Sequence, residues 1–174
     1  MNKKVISSFF TLVFVLLVSL SLSGCWTSVK GSHPLLQKNS AIPHASVYFI
    51  RPRTERMMGM ADNRVTVSLD RLPLVELVKG EYTLALLQPG KTWISIDNQT
   101  TFGPAHRVKP ESRNRPFTFA AGKTYYIAIE PVDGEFRGVY FLPRELSFTE
   151  AQAVTRHMRA VGDARGNSIP EAAS

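Results

Sequence analysis

The sequence predicts a mainly β domain, an antiparallel β-sandwich of about eight short strands with one C-terminal α-helix. Strand-forming runs recur along the chain with turn-forming residues every eight to twelve positions, which is typical of a sandwich or a barrel. No helical pattern separates these runs, and this disfavours a parallel α/β sheet, whose neighbouring strands need long crossover connections. A single helical pattern follows the last run, and we expect that helix to lie along the sheet.

Turn-forming residues or prolines follow several of the predicted strands. In the first strand, Val47 and Phe49 share one face, and Pro52 ends the pattern because it lacks the N–H that a ladder needs. The predicted strands cover residues 45–51, 65–69, 72–78, 82–86, 93–96, 115–119, 124–130 and 138–142. The predicted turns lie at residues 70–71, 79–80, 89–90 and 121–122, and Pro143 closes the last strand.

The predicted helix begins after Ser147. This serine and Glu150, three residues later, have the spacing of a capping box, in which each side chain accepts a hydrogen bond from a backbone N–H of the other residue. Apolar residues then recur at helical spacing at Ala151, Val154, Met158 and Val161. Gly162 is well placed to end the helix, so the β-domain with its helix spans residues 45–162. Residues 163–174 are small and polar and predict a disordered tail.

The first 24 residues have the pattern of an export signal. Lys3 and Lys4 precede a mainly apolar run from residue 5 to residue 22, and small residues follow at positions 23 and 24. An uncleaved membrane helix is the alternative, because about 18 apolar residues can cross a bilayer. Cleavage is favoured, since no lysine or arginine flanks the run again before Lys30.

Leu22, Ser23, Gly24 and Cys25 resemble the lipobox of bacterial lipoproteins. The resemblance implies that residues 1–24 are a signal peptide, that the Cys25 thiol receives a diacylglycerol and that the new amino terminus is acylated. Residues 25–44 then predict a flexible tether, because glycine, proline, serine and asparagine interrupt any periodicity. An aspartate after the lipidated cysteine can retain such lipoproteins in the inner membrane. Trp26 stands there instead, which favours the outer membrane.

The mature chain, residues 25–174, would have 150 residues, the size of one ordinary domain with tails. Its 19 basic and 14 acidic residues give a net charge near +5, which suits anionic headgroups or cell-wall polymers. Nucleic acid is not an expected partner of an exported protein. The single cysteine, Cys25, has no second thiol with which to form a disulfide within the chain.

Four short motifs recur along the strands: Val47-Tyr48-Phe49-Ile50-Arg51-Pro52, Leu77 with Lys79-Gly80-Glu81-Tyr82, Gln88-Pro89-Gly90-Lys91-Thr92, and Ala121-Gly122-Lys123-Thr124-Tyr125-Tyr126. In this order they resemble the DUF2846 family of small bacterial lipoproteins and periplasmic proteins. The resemblance covers roughly residues 45–130 and implies a β-sandwich-like domain. It carries over no site, because the family has no agreed catalytic residues. Residues 98–114 depart from the family pattern, being longer and more basic than expected.

That basic segment is the first candidate binding site. Its cluster consists of His106, Arg107, Lys109, Arg113 and Arg115, with Glu111 as the only acid. A long loop without secondary structure in a compact domain is often functional, and anionic headgroups or wall polymer are the targets that this charge suits. A solvated loop with dispersed charge is the alternative.

Met57, Met58 and Met60 place three thioethers in one predicted loop. Soft sulfur ligands suit monovalent copper, but this loop has no histidine or cysteine to complete a metal site. The other interpretation is an adaptable apolar surface that covers one end of the sandwich or contacts a partner. We therefore expect a partner contact or packing here, and no metal.

The sequence carries no signature of a nucleotide site or of catalysis. The Gly-Lys-Thr triplets at residues 90–92 and 122–124 lack the earlier glycine and the following helix of a phosphate-binding loop. No nucleophile elbow or zinc-protease motif is present, and the four histidines have no spacing typical of a metal pair. We therefore expect no catalytic residue and no cofactor, although a Ser-His-Asp site assembled from distant residues stays open.

Three functions follow from these observations. The first is a non-catalytic, lipid-anchored lipoprotein of the cell envelope, attached to the membrane through Cys25, that binds another envelope protein or peptidoglycan. The second is a lipid-anchored hydrolase acting on envelope material. The third is a module that binds a small ligand or a lipid between its sheets. A closed core with an exposed hydrophobic patch favours the first function, and a pocket that holds a serine or a carboxylate beside a histidine favours the second. A large apolar cavity favours the third.

Overall fold

Two β-sheets face each other in the computed structural model, which describes residues 33–37, 39, 41–54, 59, 64–134 and 138–170. The strands are β1 Ala45–Arg51, β2 Val65–Leu69, β3 Leu72–Leu77, β4 Glu81–Leu87, β5 Gly90–Phe102, β6 Arg107–Phe119, β7 Thr124–Asp133, β8 Val139–Leu146 and β9 Arg159–Gly162. One helix, α1 Phe148–Thr155, follows β8. The prediction of a mainly β sandwich with one helix is confirmed.

The strands divide into a five-stranded sheet, β8-β7-β1-β4-β9, and a four-stranded sheet, β3-β2-β5-β6. Most neighbours are antiparallel, as predicted, but β1 pairs with β7 in parallel and β4 pairs with β9 in parallel. Parallel pairing needs a long connection between the two strands. The whole four-stranded sheet lies in the chain between β1 and β7, and α1 lies between β4 and β9.

Strand β1 buries both of its faces. Val47 and Phe49 are fully buried in the core between the sheets, while Ile50 and Tyr48 belong to a second buried cluster on the opposite face. Apolar side chains fill the space between the sheets, and eighteen of the buried residues belong to that core. Successive strand residues point to opposite faces, so a central strand covered on both sides is apolar almost throughout.

Helix α1 has the predicted start. The Glu150 N–H donates to Ser147 Oγ at 3.2 Å, and the Ser147 N–H donates to Glu150 Oε2 at 2.7 Å, so the capping box is confirmed. These bonds to Ser147, with the neighbouring Arg144 guanidinium, lower the pKa of Glu150.

The predicted continuation of the helix to Val161 is wrong. The helix ends at Thr155, and residues 159–162 form β9 beside β4. Val161 is buried there as a strand residue rather than along a helix face. Of the eight helix residues only Ala151 and Thr155 are buried, so extending α1 adds little burial, whereas β9 pairs with backbone groups of β4.

The segment after β9 differs from the predicted disordered tail as far as residue 170. A 3-10 helix, Asp163–Arg165, follows β9, and Ala164 and Ile169 are buried in the second cluster. The Tyr48 hydroxyl donates to the Asn167 carbonyl oxygen at 2.8 Å. These contacts cover the outer face of β1 and β4. Residues 171–174 lie outside the described part of the chain.

Residues 33–37, predicted as part of the flexible tether, lie along the edge of β4. The Gln37 N–H donates to Leu86 O at 2.8 Å, and the Gln88 N–H donates to Leu35 O at 2.9 Å. Leu36 forms an isolated bridge with Leu87. The same edge of β4 pairs with β9 at residues 81–84. The N-terminal and C-terminal segments of the described chain therefore each cover a part of this edge.

His33 fixes the start of this segment to the four-stranded sheet. Its imidazole is buried, and Nδ1 accepts a hydrogen bond from the Leu35 N–H at 3.1 Å. The other nitrogen, Nε2, therefore carries the proton and donates to Leu69 O at 3.1 Å. The chain thus enters the domain at the end of β2.

Arg51 and Glu81 are both 1% exposed and stand opposite each other in the pairing of β1 with β4. Arg51 Nη1 donates to Leu77 O at 2.8 Å, and its guanidinium lies 5.2 Å from the centre of the Phe141 ring. Glu81 Oε2 accepts from the Val78 N–H at 2.9 Å, and Oε1 contacts Arg159. The buried Arg51 side chain therefore joins β1 to β3 and β8, and the buried Glu81 side chain joins β4 to β9.

We predict that Arg51→Met lowers the free energy of unfolding by about 2–4 kcal/mol, because it removes a buried donor and leaves a buried carboxylate less compensated. Urea denaturation measures the change. The matched control is Arg64→Met: Arg64 lies 3.6 Å from Glu76 at the surface, and such an exposed pair contributes at most about 1 kcal/mol. Equal losses in the two variants would contradict a structural role of the buried guanidinium.

Candidate functional site: the basic hairpin

The basic segment at residues 98–114 is not a loop. It forms the outer half of a hairpin in which β5 and β6 have 13 residues each and pair from Gly90↔Phe119 to Phe102↔Arg107. Four residues, 103–106, connect the strands, and His106 N–H donates to Gly103 O at 3.1 Å. Gly103 and His106 both have positive φ, 66° and 47°. The expectation of a structureless loop is therefore corrected.

A two-residue period in β6 explains why this charged segment is a strand. Arg107, Lys109, Glu111, Arg113 and Arg115 occupy alternate positions. They therefore share one face of the sheet, which is also the face of Ile94 and Ile96 in β5. Further along the same face, Phe119 is buried in the core. The inner face of the hairpin thus changes from apolar at one end to charged at the other.

Strand β6 lies at the edge of the four-stranded sheet. Charged side chains on an edge strand hinder pairing with other chains, and so do prolines, of which β6 has two, Pro110 and Pro116. Protection of the sheet edge is thus one role that the charges of β6 fulfil.

Glu111 is the centre of the cluster. Its side chain is only 9% exposed, and it forms ion pairs with Lys109 and with Arg113, the latter at 3.2 Å. Aromatic rings hold the same two cations: Lys109 Nζ lies 5.1 Å from the centre of the Phe102 ring, and the Arg113 guanidinium lies 4.8 Å from that of Tyr140. Cation–π contacts fix the positions of these charges without neutralising them.

Arg107, Arg115 and His106 are exposed. Within the described residues, neither Arg107 nor Arg115 forms an ion pair. The cluster has four permanent cations and one carboxylate, a formal charge of +3 along one strand. The structure therefore brings all five predicted basic residues onto one hairpin.

The tip of the hairpin also exposes apolar side chains that the sequence analysis did not single out. Phe102 is 36% exposed and Val108 is 53% exposed, one on each side of the turn. A predicted loop gives these two side chains no defined position, whereas the pairing of β5 with β6 places them next to residues 103–106. Basic and apolar groups thus meet at the tip.

Strand β8 supports the hairpin through a close approach at Gly138. The Val139 N–H donates to Thr100 Oγ1 at 2.9 Å, and Asn98 Nδ2 donates to Val139 O at 3.0 Å. Gly138 has φ +80°, and a Cβ added there would lie 2.5 Å from Thr100 Oγ1 and 2.6 Å from the Thr101 carbonyl oxygen. Glycine is thus required both by the backbone angle and by the space.

The other predicted site residues lie outside the described part of the chain. These are Leu22, Ser23, Gly24 and Cys25 of the lipobox, and Met57, Met58 and Met60 of the methionine-rich loop. Among the described residues, no group of three or more histidine, cysteine, aspartate or glutamate side chains is arranged to hold a metal ion. Of the described histidines, His33 has both ring nitrogens in hydrogen bonds, and His44 Nδ1 lies 2.9 Å from Ile42 O.

We predict that Gly138→Ala lowers the free energy of unfolding by about 2–4 kcal/mol, because the new Cβ meets a backbone oxygen of β5 as well as an unfavourable φ. Gly103→Ala is the matched control. Gly103 also has positive φ, +66°, but no atom lies within 4 Å of its added Cβ, so the loss should be about 1–2 kcal/mol. Urea denaturation compares the two, and an equal loss would show that contact with β5 is unimportant.

Comparison with family models, with curated proteins and with solved structures gave no match. Among the described residues, the structure contains no helix with the length and hydropathy of a membrane span.

Proposed function

We propose that this protein is a lipid-anchored lipoprotein of the bacterial cell envelope, of the type that the DUF2846 resemblance suggests. Its β-sandwich is a non-catalytic module that presents the basic hairpin to the anionic cell-wall polymer, peptidoglycan. The outer membrane is the proposed location, with the domain in the periplasm. The observation that carries the proposal is that the chain enters the domain at the end opposite to the hairpin tip.

The entry point lies at the end of β2, where His33 donates to Leu69 O. Leu69 pairs with Ile94, which is eight residues before Phe102 along β5. A strand rises about 3.3 Å per residue, so the tip lies about 26 Å further along the sheet. We call the end with His33 and Leu69 the anchored end, because residues before His33 lead from it to Cys25.

The length of the chain before His33 limits how far the anchored end can be from the bilayer. His33 lies eight positions after Cys25, and a fully extended chain covers at most about 29 Å over those eight steps. A lipidated Cys25 would therefore hold the anchored end near the membrane. The hairpin tip would point away from the bilayer, which favours a wall polymer over headgroups as the target of the hairpin.

The filled interior supports surface binding rather than a ligand site between the sheets. The inward side chains of β1, β2, β5 and β7 pack against one another there, including Phe49, Leu69, Ile96 and Ile129, all fully buried. Peptidoglycan carries carboxylates, which the four cations of β6 can meet. Such contacts between exposed charges are screened by salt, so binding should weaken as ionic strength rises.

We predict that Cys25→Ser leaves an unprocessed precursor that carries no acyl chains, because the thiol is the group that receives the lipid. Mass spectrometry of the protein extracted from membranes shows whether residues 1–24 are retained and whether acyl chains are attached. Cleavage and acylation of the wild-type chain serve as the control. A wild-type chain without acyl groups, or normal maturation of the variant, would disprove the anchor.

We predict that changing Arg107, Lys109, Arg113 and Arg115 together to glutamine weakens binding to purified sacculi at least about tenfold at low salt, because the attraction is electrostatic. Co-sedimentation of the detergent-solubilised lipoprotein with sacculi measures it. The matched control changes Arg53, Arg64, Arg156 and Arg165, which are exposed elsewhere, to glutamine.

A second variant works in the opposite direction. Glu111→Gln removes the one carboxylate of the cluster and should strengthen binding to sacculi while Lys109 and Arg113 remain. If the hairpin variant and the control lose binding equally, only net charge matters. If neither loses it, the hairpin does not bind the wall.

A further inference from the structure

The anchored end of the domain exposes three large apolar side chains. Ile42, Leu72 and Trp93 are each 48% exposed. Leu72 begins β3 beside the turn at residues 70–71, and Trp93 lies near the start of β5. Ile42 lies in the segment before β1. In that segment the His44 carbonyl oxygen accepts a hydrogen bond from the Gly122 N–H at 2.8 Å, and Gly122 belongs to the turn between β6 and β7. All three therefore stand on the same end of the sandwich as the His33 contact.

The backbone around Trp93 is held in place. The Trp93 N–H donates to Asp70 Oδ1 at 2.8 Å, and the Asp70 N–H donates to Trp93 O at 2.9 Å. Asp70 and Arg71 both have positive φ, 47° and 69°, as the two central residues of a tight hairpin turn between β2 and β3. The exposed indole therefore projects from a strand whose backbone is hydrogen-bonded to Asp70 of the turn, and not from an irregular loop.

Cations accompany these apolar groups. Arg71, Lys91 and Lys123 are exposed on the turns and strand ends of the anchored end. Asp70, the acidic residue of the same turn, is already an acceptor for the Trp93 N–H. Apolar side chains that include an indole, with cations beside them, match the boundary between lipid headgroups and acyl chains.

We propose that the anchored end is a docking face for a bilayer containing anionic phospholipid, with Trp93, Leu72 and Ile42 in the interfacial layer and Arg71, Lys91 and Lys123 at the phosphates. This inference rests on the proposed anchor. Only seven residues lie between Cys25 and His33, so the anchored end is the part of the domain that the lipid brings to the membrane. A bilayer also needs no single pocket, so the three side chains can reach it separately.

Docking would give the lipoprotein a defined orientation. A flexible connection alone lets the domain tumble, whereas a second attachment at the surface holds the hairpin tip outward. The acyl chains keep the docking face close to the membrane, so even weak contacts of this face with the bilayer are made at a high effective concentration.

The test uses Trp93 as its own reporter. The chain has two tryptophans, so the lipidated protein with Trp26→Phe contains one indole. It is reconstituted into vesicles of phosphatidylethanolamine and phosphatidylglycerol, with or without bromine on the acyl chains. Bromine quenches indole fluorescence only at short range. We expect the brominated lipid to quench Trp93 and its emission to lie at shorter wavelength than in detergent-free, protease-released protein.

The matched control moves the indole to the hairpin tip. In the lipidated protein with Trp26→Phe, Trp93→Phe and Phe102→Trp, the reporter should be quenched at least about twofold less, because the tip points away from the bilayer. Equal quenching at the two positions would overturn a defined docking face.

A charge variant tests the headgroup contact. Arg71→Gln, Lys91→Gln and Lys123→Gln, added to the Trp26→Phe protein, should reduce the quenching of Trp93 in vesicles that contain phosphatidylglycerol. The same change at Arg53, Arg64 and Arg156 should not. A reduction in both or in neither would contradict recognition of headgroups by this face.

Flotation of the vesicles separates the two proposals. Protein that does not float with them lacks the anchor, and then both proposals fail. Protein that floats while Trp93 is not quenched overturns the docking face alone. If soluble peptidoglycan fragments shift the Trp93 emission in that case, the indole binds a glycan instead of lipid.

Discussion

Burial of β1 on both faces is the constraint on which the rest of the structure depends. A shift of its pairing by one residue would exchange the residues of the inner core with those of the second cluster. The inner face requires the four-stranded sheet as a cover. The outer face requires α1 and the segment around Ala164 and Ile169, which are buried against Tyr48 and Ile50. This is why a short helix and a polar C-terminal segment belong to the fold.

The four-stranded sheet continues past the core that it covers. Along β5, Ile94 and Ile96 face the five-stranded sheet, and then Asn98 and Thr100 meet the start of β8 through hydrogen bonds instead of apolar contacts. Along β6 the corresponding positions become charged. One hairpin therefore contributes to stability at its base and carries a charged surface at its tip, so that changes at the tip need not disturb the core.

The sequence was informative where local chemistry decides the structure. The alternation of apolar residues predicted β1 and β2, and the spacing of Ser147 and Glu150 predicted the start of α1. It was misleading where tertiary contacts decide. Val161 has a place in a helical pattern, but an open edge of β4 gives it a strand partner. The charges of β6 suggested a solvated loop, although their period of two is that of a strand. Parallel pairing of β1 with β7 has no local signal, because it depends on where the chain returns after the 72 residues between these strands.

The way the N-terminal segment lies on the edge of β4 has a mechanical consequence. If Cys25 is fixed in a membrane and the hairpin is fixed to the wall, tension enters the domain through His33 and the bonds that join residues 35–37 to residues 86–88. Bonds at the end of a strand edge open one after another, so this segment would peel away before the sheets separate. Twelve residues, 33–44, would then add up to about 40 Å of reach between the two layers. The domain would behave as a link that lengthens under load and closes again when the load is removed.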